Sequence, residues 1–188
     1  MKNDIILAGV GGQGILTIAA AIGLAALENN LYFKQSEVHG MSQRGGDVYS
    51  HFRLSDKPVL SDLIPHGKAS LIISVEPMES LRYLPWLSKQ GWLVTNSSPF
   101  INITDYPPVE EILAEVRKIK NHKILDADTM AKEAGSSKSM NMVILGAASH
   151  FIDLPFTDIE NAVRKMFGKK GGEIVEINIT ALRSGRDV

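Results

Sequence analysis

Asp4-Ile5-Ile6-Leu7-Ala8 is a short apolar run that leads straight into Gly9, the pattern of a strand buried on both faces. From Gly14 to about Asn29 the apolar positions change period. Ile15, Ile18, Ala19, Ile22, Ala26 and Leu27 recur at helical spacing, and Asn29-Asn30 supplies a C-terminal stop. Leu31 to Gln35 then reads as a second strand, so residues 4–35 form a βαβ unit, for which a right-handed crossover is the default.

Glu37 to Gly46 carries no apolar periodicity, after which Val48, Ser50, Phe52 and Leu54 mark an alternating strand. Nine or ten residues are too few for a helical crossover, so this strand is expected to run antiparallel to a neighbour, reached by a loop. Asp56-Lys57-Pro58 is a turn, and Ala69 to Val75 is another buried strand. Glu76-Pro77 opens a helix that carries Met78, Leu81 and Leu84 and is interrupted near Pro85. Gly91 to Asn96 returns as a strand, Pro107 to Lys120 as an amphipathic helix, and His122 to Leu125 as a short edge strand. Ser139 to Phe151 and Thr157 to Phe167 read as helices, whereas the last segment fits two patterns. Val175, Ile177 and Ile179 alternate as in a strand, while Ile174, Ile177, Ala181 and Leu182 fit one helix face. The fold class is α/β: a Rossmann-like three-layer fold with a mixed, mostly parallel sheet and a helical C-terminal third, in one domain spanning residues 1–188.

Composition narrows the chemistry. Twenty Lys and Arg against 21 Asp and Glu leave a formal charge of -1, which gives no long-range field for nucleic acid or an anionic membrane. With Cys 0 there is no disulfide, thiol nucleophile or thiolate metal site, and an iron–sulfur cluster belongs to another chain. The first apolar run is too short and too interrupted to span a membrane, and no signal-peptide pattern precedes it, so the expected compartment is the cytoplasm.

Two segments concentrate the candidate chemistry. Gly9-Val10-Gly11-Gly12-Gln13-Gly14 satisfies G-x-G-x-x-G between a strand and a helix. Glycines let the backbone turn tightly and approach a ligand, and the unpaired amides at a helix start favour an anion by about 0.3–2 kcal/mol. The second segment, Ser36 to Asp47, packs Glu37, His39, Ser42, Gln43 and Arg44 among Gly40, Gly45 and Gly46. Arg44 can fork onto a carboxylate or phosphate, and Ser42 can donate a hydrogen bond beside it. The plainer reading is an ordered polar loop with Arg44 paired to Glu37 or Asp47. Glu37 also stands roughly where a dinucleotide fold places its ribose-binding acid, which keeps a standalone NAD-binding oxidoreductase open as an alternative.

Other features have plainer readings. His39, His51, His66, His122 and His150 show no metal-like spacing, and His51 reads as a packed or surface histidine. Asp126 reads as a cap for a helix near Thr129, Gly135 to Ser139 as a cap and turn, and Trp86, Trp92, Met140 and Met142 as core or a partner surface.

Taken together, the glycine turn, Ser36 to Gly46, Val75-Glu76-Pro77-Met78-Glu79-Ser80-Leu81-Arg82 and Asn141 to Gly146 give the chain a resemblance that spans nearly its whole length. It resembles the gamma subunit or domain of 2-oxoacid:ferredoxin oxidoreductases, most closely those acting on indolepyruvate. The resemblance implies a small subunit, inactive alone, in coenzyme A-dependent oxidation of an arylpyruvate. Pyruvate or 2-oxoglutarate remains the alternative substrate. It further implies a larger partner subunit carrying thiamine diphosphate and iron–sulfur clusters, with ferredoxin reached through the complex. Coenzyme A is the ligand implied for this chain. The residues expected to contact it are Gly9, Gly11, Gly12, Gln13 and Gly14, with Ser42, Arg44 and Gly45 completing the anion site. No catalytic residue and no metal ligand is assigned. The family's helical C-terminus resolves Glu173 to Arg183 as a helix, and a homodimer of the isolated chain is compatible with an orphan subunit's exposed apolar surface.

Overall fold

The computed structural model describes residues 1–40 and 46–188. Its strands are β1 (Lys2–Val10), β2 (Tyr32–His39), β3 (Asp47–Ser55), β4 (Ala69–Ser74), β5 (Leu87–Asn96) and β6 (His122–Leu125). They form a six-stranded sheet in the order β2-β3-β1-β4-β5-β6. Ile5, Ile6, Leu7 and Ala8 are completely buried, which is why β1 takes an interior place. It pairs in parallel with β4 and antiparallel with β3, and β4–β5 and β5–β6 are parallel. The sheet is therefore mixed and mostly parallel.

One detail departs from the sequence pattern. Helix α1 (Ile15–Glu28) carries the chain to β2, but β3 lies between β1 and β2 and pairs antiparallel with both. Residues 4–35 thus form a βαβ unit split by an inserted strand. Phe52 and Leu54 are fully buried on β3, whereas the mostly polar β2 is largely exposed, so the more apolar strand occupies the interior. Strand β2 also continues past Gln35 to His39. Its ladder with β3 and the bond from the Gly40 amide to the Asp47 carbonyl (2.9 Å) hold residues that have no buried face to reveal them in the sequence.

Helices α2 (Pro77–Arg82) and α3 (Val109–Arg117) cover one face, where Ile6, Ala8, Ile72, Tyr83, Leu93 and Val116 pack together. The other face carries α1, α4 (Ala127–Glu133), α5 (Met140–Ala148), α6 (Phe156–Phe167) and α7 (Gly172–Arg186). Local chemistry sets the starts: Glu76 accepts the Glu79 amide (2.8 Å) with Pro77 in the first turn of α2, and Asp126 accepts the Thr129 amide (3.1 Å) at α4. The ambiguous C-terminus is helical, with Val175, Ile179 and Leu182 buried at one-turn spacing. Every residue of α5 is buried, and it crosses α7 at backbone contact. A Cβ on Gly146 would lie 1.9 Å from the Leu182 carbonyl oxygen, and one on Gly185 would lie 1.9 Å from that of Val143. Among the described residues no helix is long and apolar enough to cross a membrane.

Candidate functional site

Strands β1 and β4 are neighbours, yet the chain leaves β1 for α1 on one face and leaves β4 for α2 on the other. Their carboxyl ends therefore open a crevice at a topological switch point, the usual ligand position in an open α/β sheet. The glycine turn lies there.

The glycines have different tasks. Gly9 is buried in β1, and a Cβ on it would come 2.3 Å from Val75 Cγ2, so Gly9 serves packing against the segment after β4. The Gly11 amide donates to the Gly46 carbonyl (2.9 Å), and the Gln13 amide donates to the Val10 carbonyl (3.1 Å). The Gln13 side-chain oxygen accepts the Val10 amide (2.8 Å), which closes the turn on itself. Two of the amides expected to face an anion are thereby engaged within the protein. The amides of Gly12, Gly14, Ile15 and Leu16 have no acceptor among the described residues. They head a 14-residue helix, so the anion-binding capacity sits at Gly12, Gly14 and the first turn of α1. Gly12 and Gly14 hold φ of +100° and +81°, conformations that glycine adopts without strain. The Asn141 side-chain amide, from α5, donates to the Gly14 carbonyl (3.1 Å) and leaves no room for a Cβ there, at 2.4 Å.

Two openings flank the turn and share Gly12 and Gly14. The smaller, about 290 Å³, faces the β2–β3 hairpin and is lined by Val10, Gly11, Leu16, His39 and Val48. Ser42, Arg44 and Gly45 lie outside the described residues, so of the polar hairpin residues His39 is placed at this opening. Its imidazole is half exposed, with Nε2 3.7 Å from the Glu37 carboxylate. Beneath the hairpin, Tyr83 donates to Asp47 (3.4 Å), and burial together with the Asp47 charge pushes that phenol well above its ordinary range. The larger opening, about 580 Å³, lies between the turn, the Ser136 to Ser139 segment and the ends of α6 and α7.

Insertion of β3 bears on the dinucleotide reading. It places Glu37 on a strand two spacings from β1, about 10 Å away across the sheet, rather than on the adjacent strand that a ribose-binding acid requires. The histidines have local partners. His51 is buried and accepts the Ile64 amide at Nδ1 (3.1 Å), and burial lowers its pKa. His66 packs edge-on to Trp86, while His122 and His150 bond to the Ile119 and Arg186 carbonyls. Asp126 caps α4, and Asp128 accepts from Asn96 (2.8 Å). Among the described residues no three His, Asp or Glu side chains form a metal-binding group. Met142 is fully buried and Met140 nearly so, while Trp92 stacks on Phe151.

Sequence reasoning missed two things at this end of the sheet. Ser136 to Ser139 does form a cap and turn, with Ser136 Oγ accepting the Lys138 amide (3.3 Å), but it also walls the larger opening together with Asn141 and Lys170. Its approach to the glycine turn spans more than 120 residues of chain, and its serine-rich composition was the only hint. Glu76 is the other. Completely buried, its carboxylate accepts from the Glu79 amide, the Phe100 amide (3.3 Å) and the Tyr106 hydroxyl, tying the loop after β5 to the head of α2. Burial and this carboxylate raise the Tyr106 phenol above its ordinary range.

Comparison with known proteins gives concordant matches. Residues 4–188 match the family described as pyruvate ferredoxin/flavodoxin oxidoreductase. Indolepyruvate oxidoreductase subunit IorB of Archaeoglobus fulgidus is 37% identical over 98% of this chain and 94% of its own. The protein of that name from Pyrococcus horikoshii is 38% identical over the same shares. Among solved structures, 2-oxoglutarate:ferredoxin oxidoreductase from Magnetococcus marinus, with 2-oxoglutarate, coenzyme A and succinyl-CoA bound, superimposes with a TM-score of 0.78 at 21% identity. That match covers 99% of this chain and 30% of the longer one, a likeness of fold.

Proposed function

We propose a function from one premise: the chain belongs to the pyruvate ferredoxin/flavodoxin oxidoreductase family. It is the small subunit of a coenzyme A-dependent oxidoreductase acting on an arylpyruvate such as indolepyruvate. Relatives bearing the indolepyruvate name across nearly their whole length support that substrate class. Decarboxylation and the passage of electrons to ferredoxin belong to thiamine diphosphate and iron–sulfur clusters on a larger partner subunit. A chain with Cys 0 is suited to binding and positioning instead.

The observation that carries the reading is the glycine turn at the switch point, where the amides of Gly12, Gly14, Ile15 and Leu16 have no acceptor among the described residues. Coenzyme A brings phosphates that these amides can bind, and Ser42, Arg44 and Gly45 on the hairpin complete the anion site. Held at this end of the sheet, the ligand's thiol is presented to the partner's active centre.

The test is copurification followed by turnover. Isolated gently with its partner, the chain should elute with a larger subunit absorbing as an iron–sulfur protein. The complex should reduce ferredoxin with indolepyruvate only when coenzyme A is present. Gly12→Val and Arg44→Ala should raise the KM for coenzyme A at least tenfold while assembly persists. A chain that elutes alone and turns over NAD would overturn the assignment, and preference for pyruvate or 2-oxoglutarate in the assembled enzyme would move the substrate class.

A further inference from the structure

Strand β2 is one edge of the sheet, and all its residues except Phe33 and Ser36 are exposed. The opposite edge is protected: β6 has four residues, and its Lys123 bonds to the carbonyl of the C-terminal Val188. The backbone of the open edge follows from the hairpin. Because the Gly40 amide donates to the Asp47 carbonyl, these two form a hydrogen-bonded pair, and such pairs alternate along an antiparallel ladder. Tyr32, Lys34, Ser36 and Val38 therefore bond to β3, while Phe33, Gln35, Glu37 and His39 turn their N–H and C=O groups outward. Among the described residues nothing else pairs with this row. The two faces of β2 also differ. Phe33 packs on Gly23 of α1 and stacks on Phe52, so the odd-numbered residues face α1. On the other face Lys34 reaches the Leu60 carbonyl (3.1 Å), and Leu60, 91% exposed, stands there with the exposed Tyr32 and Val38. An uncovered row of backbone groups beside apolar side chains is a template for another strand.

We propose that β2 pairs antiparallel with β2 of a second copy of this chain, about a two-fold axis through Ser36, so that the sheet continues from one copy into the other. A two-fold axis normal to the sheet keeps every residue on its own face, so it passes through a residue and not between two. Lys34 or Glu37 on the axis would set like charges directly opposite each other. Of the remaining positions, Ser36 alone lets Phe33, Gln35, Glu37 and His39 all bond to one another across the axis. In that register Gln35 stands opposite the Glu37 carboxylate of the second copy, and Phe33 opposite its His39. Lys34 stands opposite Val38, so Leu60, beside the Lys34 ammonium, and Tyr32 close over Val38 of the second copy. The strand is thus complementary to its own reverse, in charge and in backbone bonding, which selects a second copy over a foreign strand. The β1 strands of the two copies run in opposite directions, and the two glycine turns open at opposite ends of the joined sheet.

The test combines sedimentation velocity of the full chain with single introduced thiols, which report pairing without background because the chain has Cys 0. Opposed residues of a non-hydrogen-bonded pair have Cα atoms about 4.5 Å apart, within disulfide reach. Ser36→Cys should therefore give a covalent dimer on mild oxidation, whereas Gln35→Cys, two residues out of step with its own copy, should not. The wild type should show a concentration-dependent monomer–dimer equilibrium. Amide exchange at Gln35 and Glu37 should slow as the dimer forms, while in the dilute monomer β2 remains the rim. Val38→Lys opposes Lys34 of the second copy, and Gln35→Pro removes an outward N–H while leaving the ladder with β3 intact; each should weaken association at least tenfold, with melting curves confirming that both are folded. A chain that stays monomeric at every concentration overturns the proposal. A dimer that tolerates Val38→Lys and that Ser36→Cys fails to lock lies on another face and overturns it too. Locking by Gln35→Cys instead of Ser36→Cys overturns the register through Ser36.

Discussion

Replacing Gly185 by Ala puts the helix crossing at the centre of the fold to a test of sign. In an exposed helix interior this change stabilises by about 1 kcal/mol, because alanine is the better helix former. Here the new methyl would lie 1.9 Å from the Val143 carbonyl oxygen. An ordinary carbon–oxygen contact is about 3.3 Å, so α7 must back away by roughly 1.4 Å. Val143, Ala147, Ala181 and Leu182 around the crossing are completely buried, and separation opens gaps among all of them. Overpacking of this kind costs about 3 kcal/mol, and at 2–4 °C per kcal/mol for a domain of this size Tm should fall by about 6–12 °C. Circular dichroism melts of the isolated chain at fixed concentration provide the assay. Gly146→Ala, which meets the Leu182 carbonyl at the same distance, should act alike. The double variant should lose less than the sum, since one separation relieves both clashes. A Tm that stays level or rises in Gly185→Ala would refute the close crossing.

Other residues give independent tests. Asn141→Ala removes the bond that fixes the Gly14 carbonyl, so coenzyme A affinity measured by calorimetry should weaken about five- to tenfold, an amount set by a hydrogen bond worth about 1 kcal/mol, with Tm changing little. His51 should make stability depend on pH. Because burial lowers its folded pKa below 6.5, its contribution is complete above that value and declines as pH falls through 6.5 towards the folded pKa; urea midpoints should track this, and His51→Gln should flatten the decline. Glu76→Gln weakens a buried acceptor of two amides and a tyrosine hydroxyl, and should cost about 1.5–3 kcal/mol in urea unfolding while speeding proteolysis within residues 97–106. Asp4 is buried beneath Arg53 (2.7 Å), so Asp4→Asn leaves that guanidinium without its countercharge and should destabilise by about 3 kcal/mol in the same assay.

The sheet and most helices were legible because their signals are local. Ile5 to Ala8 and Leu71 to Ile73 announce buried strands, and the hairpin length excluded a helical crossover before β3. What the pattern could not show was strand order. A polar edge strand such as Glu37 to His39 buries no face, and insertion of β3 follows from packing between distant segments. The glycine turn was legible as a loop but not in the direction of its amides, since Gly11 bonds to Gly46 across the hairpin. The site walls were the least legible. Lys138 and Lys170 carry no motif, Asn141 belongs to a segment that bears the family resemblance without showing what it touches, and more than 120 residues separate all three from the turn they approach.

The strand that separates β1 from β2 also constrains the route to the native state. A simple βαβ unit can close as soon as its second strand emerges, but here β1 lacks its antiparallel partner until the chain has reached Ser55. The pairing of β2 with β3 is closed by a short connection and can precede it, since local contacts carry the smaller entropy of closure. The hairpin then docks as a preformed ribbon along β1, and the rest of the sheet grows from the opposite side once β4 arrives. Amide hydrogen exchange should record this order as a gradient, with β1 protected longest between its two partners and β2 opening first at the rim. The β2–β3 ribbon is then able to loosen at the rim without unravelling the centre of the sheet.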